Sequence, residues 1–220
     1  MSEDLWAAVD AFITGHLVPA DPALDEALAR SAAAGLPAIH VAPNQGKFLQ
    51  LLARVRGAKA ILEVGTLGGY STIWLARALP PGGRLVTLEA DPGHAAVARE
   101  NIARAGLAAV VELREGRALD TLPQLAGPFD FTFIDADKPT TAEYFAWAVR
   151  LSRPGGMIVV DNVVRKGAVA DPASADASVR GVRRFYEALA AEPRVTATAV
   201  QTVGSKGYDG FALAVVTADP

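Results

Sequence analysis

The 220-residue sequence contains no cysteine. This absence excludes thiol nucleophiles, disulfide bonds and metal sites built from cysteine thiolates. No hydrophobic run is as long as a membrane-spanning helix requires, and the acidic start of the chain shows no secretory-signal pattern. The formal net charge of −3 gives no sign of a basic nucleic-acid surface. We therefore expect a cytoplasmic protein without a nucleic-acid or membrane partner.

The length suits one α/β domain, and the pattern along the chain changes once. Residues 1–57 predict a helical preface, and residues 58–220 predict an α/β core. The first helix is indicated by an apolar stripe at helical spacing, formed by Leu5, Val9, Phe12, Ile13 and His16. Two further helices are predicted over 22–34, where Asp21 is the expected N-cap, and over 44–56, where Gly57 is the expected end.

The α/β core alternates short apolar strands with helical segments. Strands are predicted at 60–64, 84–89, 110–114, 129–135, 157–161, 195–203 and 210–217, and helices at 70–79, 92–105, 118–125, 140–151 and 178–191. This alternation predicts a doubly wound, Rossmann-like sheet of seven strands that is mostly parallel. The last two strands are joined by too few residues for a helical crossover, so we expect them to form an antiparallel hairpin.

The turn after the first strand contains the most specific motif. Residues 60–72 read AILEVGTLGGYST, a strand followed by a glycine turn and the start of a helix. A dinucleotide fingerprint needs a second glycine two places after Gly65, where this chain has Leu67. Glu63 would crowd a pyrophosphate but suits a positively charged ligand. The motif therefore favours S-adenosylmethionine over a nicotinamide dinucleotide.

Two later positions fit an adenosine-containing ligand. Glu89 ends the second strand and is a candidate for the ribose hydroxyls. The alternative for Glu89 is a solvated carboxylate at a strand end, with Asp91 as the cap of the following helix. Ala118 follows the third strand and could lie against the adenine, although a plain loop is an equal alternative.

Charged residues follow the fourth and fifth strands. Asp135 ends the predicted strand 129–135, and Asp137 and Lys138 follow it; Asp161 ends the predicted strand 157–161, and Asn162 follows it. If these strands are neighbours, the two aspartates repel each other unless a cation lies between them. Two carboxylates and an amide are oxygen donors, which suit Mg²⁺, Mn²⁺ or Ca²⁺. The alternative is that each aspartate only caps the turn that follows it.

The motifs together resemble those of the cation-dependent O-methyltransferases, a family that includes caffeoyl-CoA and catechol O-methyltransferases. The matching segments are Glu-x-Gly-Thr-x-x-Gly-Tyr-Ser, Leu-Glu-Ala-Asp, Ile-Asp-Ala-Asp-Lys and Asp-Asn. The resemblance implies a divalent cation held by Asp135, Asp161 and Asn162, with Lys138 as the base near the accepting hydroxyl. It implies a homodimer formed through the N-terminal helices. It also implies S-adenosylmethionine contacts at Val41, Glu63, Gly65, Thr66, Ser71, Glu89, Ala118 and Asp135.

The resulting hypothesis is methyl transfer from S-adenosylmethionine to one hydroxyl of a catechol-type phenolic acceptor. A free phenol titrates near pH 10, so a cation bound by both oxygens would be needed to lower its pKa. Lys138 would accept the proton or serve as a charged partner, with Asp135 beside it. The alternatives are a metal-independent methyltransferase, a nicotinamide-dependent oxidoreductase and a non-enzymatic interaction protein.

Overall fold

A computed structural model describes residues 2–218. It contains a seven-stranded sheet in the order β3-β2-β1-β4-β5-β7-β6. Strands β1 to β5 pair in parallel, and β7 pairs antiparallel with both β5 and β6. The predicted sheet and its C-terminal hairpin are confirmed. The strands are β1 Ala60–Val64, β2 Arg84–Glu89, β3 Val111–Glu115, β4 Phe129–Ile134, β5 Ser152–Asp161, β6 Val195–Gly204 and β7 Gly207–Val216.

Eight α-helices are found among residues 2–218. They are α1 Glu3–Leu17, α2 Pro22–Ala33, α3 Pro43–Arg56, α4 Tyr70–Ala76, α5 Pro92–Arg104, α6 Ala118–Thr121, α7 Thr141–Arg150 and α8 Ala177–Ala191. Asp21 caps α2, and Gly57 ends α3 in the left-handed conformation, as predicted. The helix predicted over 118–125 is shorter, because a 3-10 helix with Pro123 in its first turn continues from α6.

The core lies on both faces of the sheet. Every residue of β4 is buried, and Phe129, Phe131 and Phe133 are each at most 1% exposed. Ile61 and Leu62 of β1 are also fully buried, one in each of two hydrophobic clusters. Burial on both faces is what the continuous apolar runs predict for parallel strands. The strand ends that carry the polar side chains therefore project from a rigid base.

The first helix lies on the outside of the protein. It contacts β6 and α3, but none of its residues is buried. Leu5, Val9 and Phe12 are all exposed, and Phe12 is 66% exposed. Three members of the predicted apolar stripe are thus exposed in the part of the chain that the structure describes, whereas Ile13 is half-buried. Within residues 2–218, no helix has the length and apolar character that a membrane crossing requires.

Candidate active site

The polar strand ends meet at the carboxyl edge of the sheet. Val64 of β1 pairs with Ile134 of β4, and Ile134 pairs with Val160 of β5. The next residue on each strand is therefore adjacent to the next residue on its neighbour. This register brings Asp135 beside Asp161, as the sequence predicted for neighbouring strands. Ligands of open α/β sheets bind at this edge.

The glycine turn packs directly against the end of β4. Gly65 has φ 96°, and a Cβ at this position would lie 2.1 Å from the carbonyl oxygen of Asp135. Only glycine permits this approach without moving one of the two segments. Gly69 adopts φ 83° as the N-cap of α4. The turn therefore needs Gly65 for its contact with β4 as well as for access by a ligand.

Glu63 is fully buried behind the turn. Its carboxylate accepts hydrogen bonds from Ser71 Oγ at 2.7 Å, from Thr87 Oγ1 at 2.7 Å and from Thr72 Oγ1. Burial raises the pKa of Glu63 to about 7; the hydroxyl donors oppose that rise, and the charge of Asp135 adds to it. Glu63 does not line the cavity beside the turn. Ser71, which donates a hydrogen bond to Glu63, does line that cavity and so connects Glu63 to it.

Glu89 is also buried, and it holds the glycine turn. Its Oε2 accepts hydrogen bonds from the backbone N–H of Thr66 at 3.1 Å and of Leu67 at 2.7 Å. Its Oε1 accepts from the N–H of Asp91 at 2.9 Å. The alternative of a solvated strand-end carboxylate is therefore wrong for Glu89, whereas Asp91 is the cap of α5. Glu89 also lines the cavity, where it can meet a ligand's hydroxyl groups.

A cavity of about 560 Å³ lies over these strand ends. All of the cofactor residues predicted from the sequence line this cavity, except Glu63. Those that line it are Val41, Gly65, Thr66, Ser71, Glu89, Ala118 and Asp135. His94 and Tyr70 add polar and aromatic surface to the walls. The cavity combines carboxylates, backbone groups and hydroxyls, which are the groups that orient a nucleoside with a charged tail.

Asp135, Asp161 and Asn162 are the candidate oxygen donors at the ends of the neighbouring strands β4 and β5. Asp161 is buried, and its Oδ1 accepts from the N–H of Asn162 at 2.8 Å. Burial, and next the charge of Asp135, raise the pKa of Asp161 above its ordinary value, while the charge of Lys138 opposes this. In residues 2–218 there is no cluster of three or more His, Cys, Asp or Glu side chains able to hold a metal. The candidate cation site thus depends on two carboxylates and one amide.

Lys138 lies beside the two aspartates. Its Nζ donates to Asp135 Oδ1 at 2.7 Å, and the residue is 9% exposed. Asp137, the other aspartate near this strand end, accepts hydrogen bonds from Thr140 and Tyr144 instead. The structure therefore separates Asp137 from the donor set and places Lys138 against it. A buried ammonium at this position can also offset the negative charge of the two carboxylates.

A second cavity of about 730 Å³ adjoins the first. Val41, His40 and Asn162 line both, so the two spaces meet at the candidate cation site. The second cavity also contains Asp161 and an aromatic pair, Phe48 and Phe211, whose ring centroids are 5.4 Å apart. Its walls suit a flat aromatic molecule with a polar edge.

Two residues at this site were not identified from the sequence. Gln45 Nε2 donates to Asp161 Oδ2 at 2.7 Å, across a separation of 116 residues. Asp209 accepts from the backbone N–H groups of Val164 and Arg165, both at 2.9 Å. Gln45 lies on α3 and Asp209 lies on β7, so the tertiary fold, and not their spacing in the sequence, brings them to the site.

Comparisons with known proteins agree with this geometry. A protein-family model described as O-methyltransferase matches residues 17–215. A catechol O-methyltransferase of Niastella koreensis is 58% identical over 220 residues, which cover 98% of this chain and 100% of the relative. The crystal structure of an O-methyltransferase from Bacillus cereus in complex with SAH has a TM-score of 0.97 and 60% identity, with 98% and 100% of the two chains covered. That of TomG from Streptomyces achromogenes, involved in tomaymycin synthesis and in complex with SAM, has a TM-score of 0.96 and 55% identity, with 99% and 100% covered. This chain belongs to the O-methyltransferase family.

Proposed function

We propose that this enzyme transfers the methyl group of S-adenosylmethionine to one hydroxyl of a catechol-type acceptor, with the help of a divalent cation. The observation that carries the proposal is the position of Asp135 and Asp161 at the junction of two cavities. One cavity has the groups that a nucleoside needs, and the other has aromatic walls. The names of the relatives support both ligands, since one is called a catechol O-methyltransferase and another is a complex with SAM.

The donor set fits a divalent cation. The burial and mutual repulsion that raise the pKa of Asp161 are the conditions that a bound cation relieves. Asp135, Asp161 and Asn162 would hold the ion through oxygen atoms, which Mg²⁺ and Mn²⁺ accept. When bound, the cation supplies Lewis-acid chemistry that lowers the pKa of the acceptor hydroxyl. Gln45 keeps Asp161 oriented through the hydrogen bond to Oδ2.

The protein's own groups orient the reactants and manage the proton. Lys138 Nζ, held by Asp135, accepts the hydroxyl proton if it is neutral and stabilises the phenolate if it is charged. Phe48 and Phe211 offer apolar surface to the acceptor ring. Val41 is buried and lines both cavities, so it offers apolar surface where the ring and cofactor spaces meet. Holding the acceptor oxygen in line with the donor methyl supplies much of the acceleration.

The test is a methyl-transfer assay with purified protein, S-adenosylmethionine and caffeate. We expect methylated caffeate in the presence of Mg²⁺. Addition of EDTA should abolish the activity, and excess Mg²⁺ should restore it. Activity that survives chelation would assign the enzyme to a metal-independent class. A matched control uses a phenol with a single hydroxyl, which cannot offer two oxygens to one cation and should be a poor acceptor.

We further propose that the protein is a homodimer that uses α1. Helix α1 contacts α3 and β6, and these two elements also carry exposed apolar side chains. On α3, Val55 is 84% exposed, and on β6, Val200 and Val203 are exposed. Exposed apolar side chains on one helix and on the two elements that it contacts are typical of an interface. Sedimentation velocity should show a dimer, and Phe12→Glu should convert it to a monomer; a monomeric wild type would contradict this.

A further inference from the structure

We propose that Asp209 is a positioning residue that fixes the proposed cation ligand Asn162 by anchoring the backbone after it. The segment concerned is 162–166, which leaves the end of β5 and passes along the rim of the second cavity. Asp209 lies on β7, the antiparallel neighbour of β5. The inference rests on the proposed cation site, and it adds a residue that acts through the backbone and not as a ligand of the cation.

The backbone of segment 162–166 adopts an unfavourable conformation. Asn162, Arg165 and Lys166 have φ values of 59°, 55° and 54°. Side chains other than glycine seldom adopt this region, and the arginine and lysine gain nothing locally from it. Such a conformation persists only where surrounding contacts determine it. Something outside the segment must therefore hold it.

The contacts that hold the segment come from two consecutive residues of β7. Gly210 O accepts from the N–H of Val163 at 3.0 Å. Asp209 Oδ1 then accepts from the N–H of Val164 and from that of Arg165, each at 2.9 Å. Three successive backbone donors are thus satisfied by β7, and two of them share one carboxylate oxygen. Asp209 Oδ2 also lies 3.8 Å from Arg165 Nη1.

This arrangement fixes the exit direction of the chain from Asn162. The other neighbour of Asn162, Asp161, is held by Gln45 and by its pairing with Phe211. Without the carboxylate of Asp209, the N–H groups of Val164 and Arg165 would lose their acceptor, and the left-handed turn would relax. Asn162, whose amide oxygen is the proposed third ligand, would then lose its fixed backbone orientation. Asp209 therefore acts on cation affinity through the backbone and not through contact.

The test measures Mn²⁺ binding to the full chain saturated with S-adenosylhomocysteine, by calorimetry. Asp209→Ala should weaken Mn²⁺ binding about 10- to 100-fold, as loss of an outer partner of a metal ligand does. Asp209→Asn keeps an oxygen acceptor and should restore most of the affinity. Arg165→Met removes the ion pair but keeps the backbone contacts, so its Mn²⁺ affinity should remain close to that of the wild type.

Asp21 supplies a matched control for a general loss of stability. Its Oδ1 also accepts from two successive backbone N–H groups, those of Ala23 and Leu24, and it also pairs with an arginine, Arg77. Asp21→Ala should lower the melting temperature without changing Mn²⁺ affinity. Amide hydrogen exchange of the wild type adds a measurement that needs no variant, since Val164 and Arg165 should be protected.

The outcomes separate this inference from the proposed function. Unchanged Mn²⁺ affinity in Asp209→Ala, an equal loss in Asp21→Ala, or fast exchange at both amides would each overturn the role of Asp209. A wild type that binds no Mn²⁺ would refute the cation site itself. Weaker Mn²⁺ binding in Asp209→Ala, with unchanged affinity for S-adenosylhomocysteine and rescue by Asp209→Asn, supports the inference.

Discussion

The substitution Glu63→Gln tests how the buried carboxylate behind the glycine turn is stabilised. Glu63 has no exposed surface, and its three hydrogen-bond donors are hydroxyl groups without charge. Burial raises its pKa from 4.5 to about 7. At roughly 1.4 kcal/mol per pH unit, this rise corresponds to about 3 kcal/mol. Glutamine resembles the protonated carboxyl in shape and charge. The substitution therefore removes the pH-dependent free-energy cost of burying an ionised carboxylate at this position.

The raised pKa of Glu63 determines whether the free energy of unfolding rises or falls with pH. Between pH 4.5 and 7 the folded protein holds a proton on Glu63 that the unfolded chain has released. The contribution of this group to stability is therefore present at low pH and is lost as the pH rises through 7. Between pH 5 and pH 8, we expect the free energy of unfolding of the wild type to fall by about 2–3 kcal/mol relative to that of Glu63→Gln.

The assay is urea unfolding of both proteins without cofactor at pH 5, 6, 7 and 8. Other groups, including Asp161, titrate in both proteins, so the difference between the two curves isolates Glu63. Glu187→Gln, an exposed substitution on α8, is the matched control and should follow the wild type at every pH. A constant difference between wild type and Glu63→Gln across this range would refute the reasoning.

Three further substitutions test the site directly. Asp161→Ala should abolish Mn²⁺ binding and turnover while S-adenosylhomocysteine still binds, as calorimetry can show; retained Mn²⁺ binding would contradict the assigned ligand set. Lys138→Met should lower kcat by about 10²- to 10⁴-fold with unchanged S-adenosylhomocysteine affinity, and an unaltered kcat would exclude both roles given to Lys138. Gly65→Ala places a methyl group 2.1 Å from the Asp135 carbonyl at φ 96°, so it should destabilise the fold by about 1–3 kcal/mol and weaken cofactor binding. Gly15→Ala is its control, because a Cβ there meets nothing within 4 Å.

Most of the fold could be predicted because its signals are local. Continuous apolar runs identified the strands, Asp21 and Gly57 bounded two helices, and the short link before β7 indicated a hairpin. The limits of α4 and α6 were less accurate, because helix ends depend on tertiary contacts and on nearby residues such as Pro123. The exposure of α1 could not be predicted from the sequence either, because an apolar stripe does not indicate whether the surface that it packs against lies in the same chain.

The sequence indicated which strand ends would meet at the candidate site, but it did not indicate the contacts that support them. Asp135 and Asp161 could be placed together because parallel neighbouring strands end at the same edge. The burial of Glu63 behind the turn could not be predicted, because it depends on hydroxyl groups from α4 and β2 that converge on one carboxylate. Gln45 and Asp209 reach the site from distant segments, where no spacing rule applies.

The central claim is that Asp135 and Asp161 share a divalent cation between the two cavities. The most direct test is a crystal structure of the protein grown with Mn²⁺ and S-adenosylhomocysteine, with data collected for anomalous scattering from manganese. The account predicts one anomalous peak in contact with the oxygen atoms of Asp135, Asp161 and Asn162. A fully occupied cofactor cavity with no peak there, and with the two carboxylates turned apart, would contradict it.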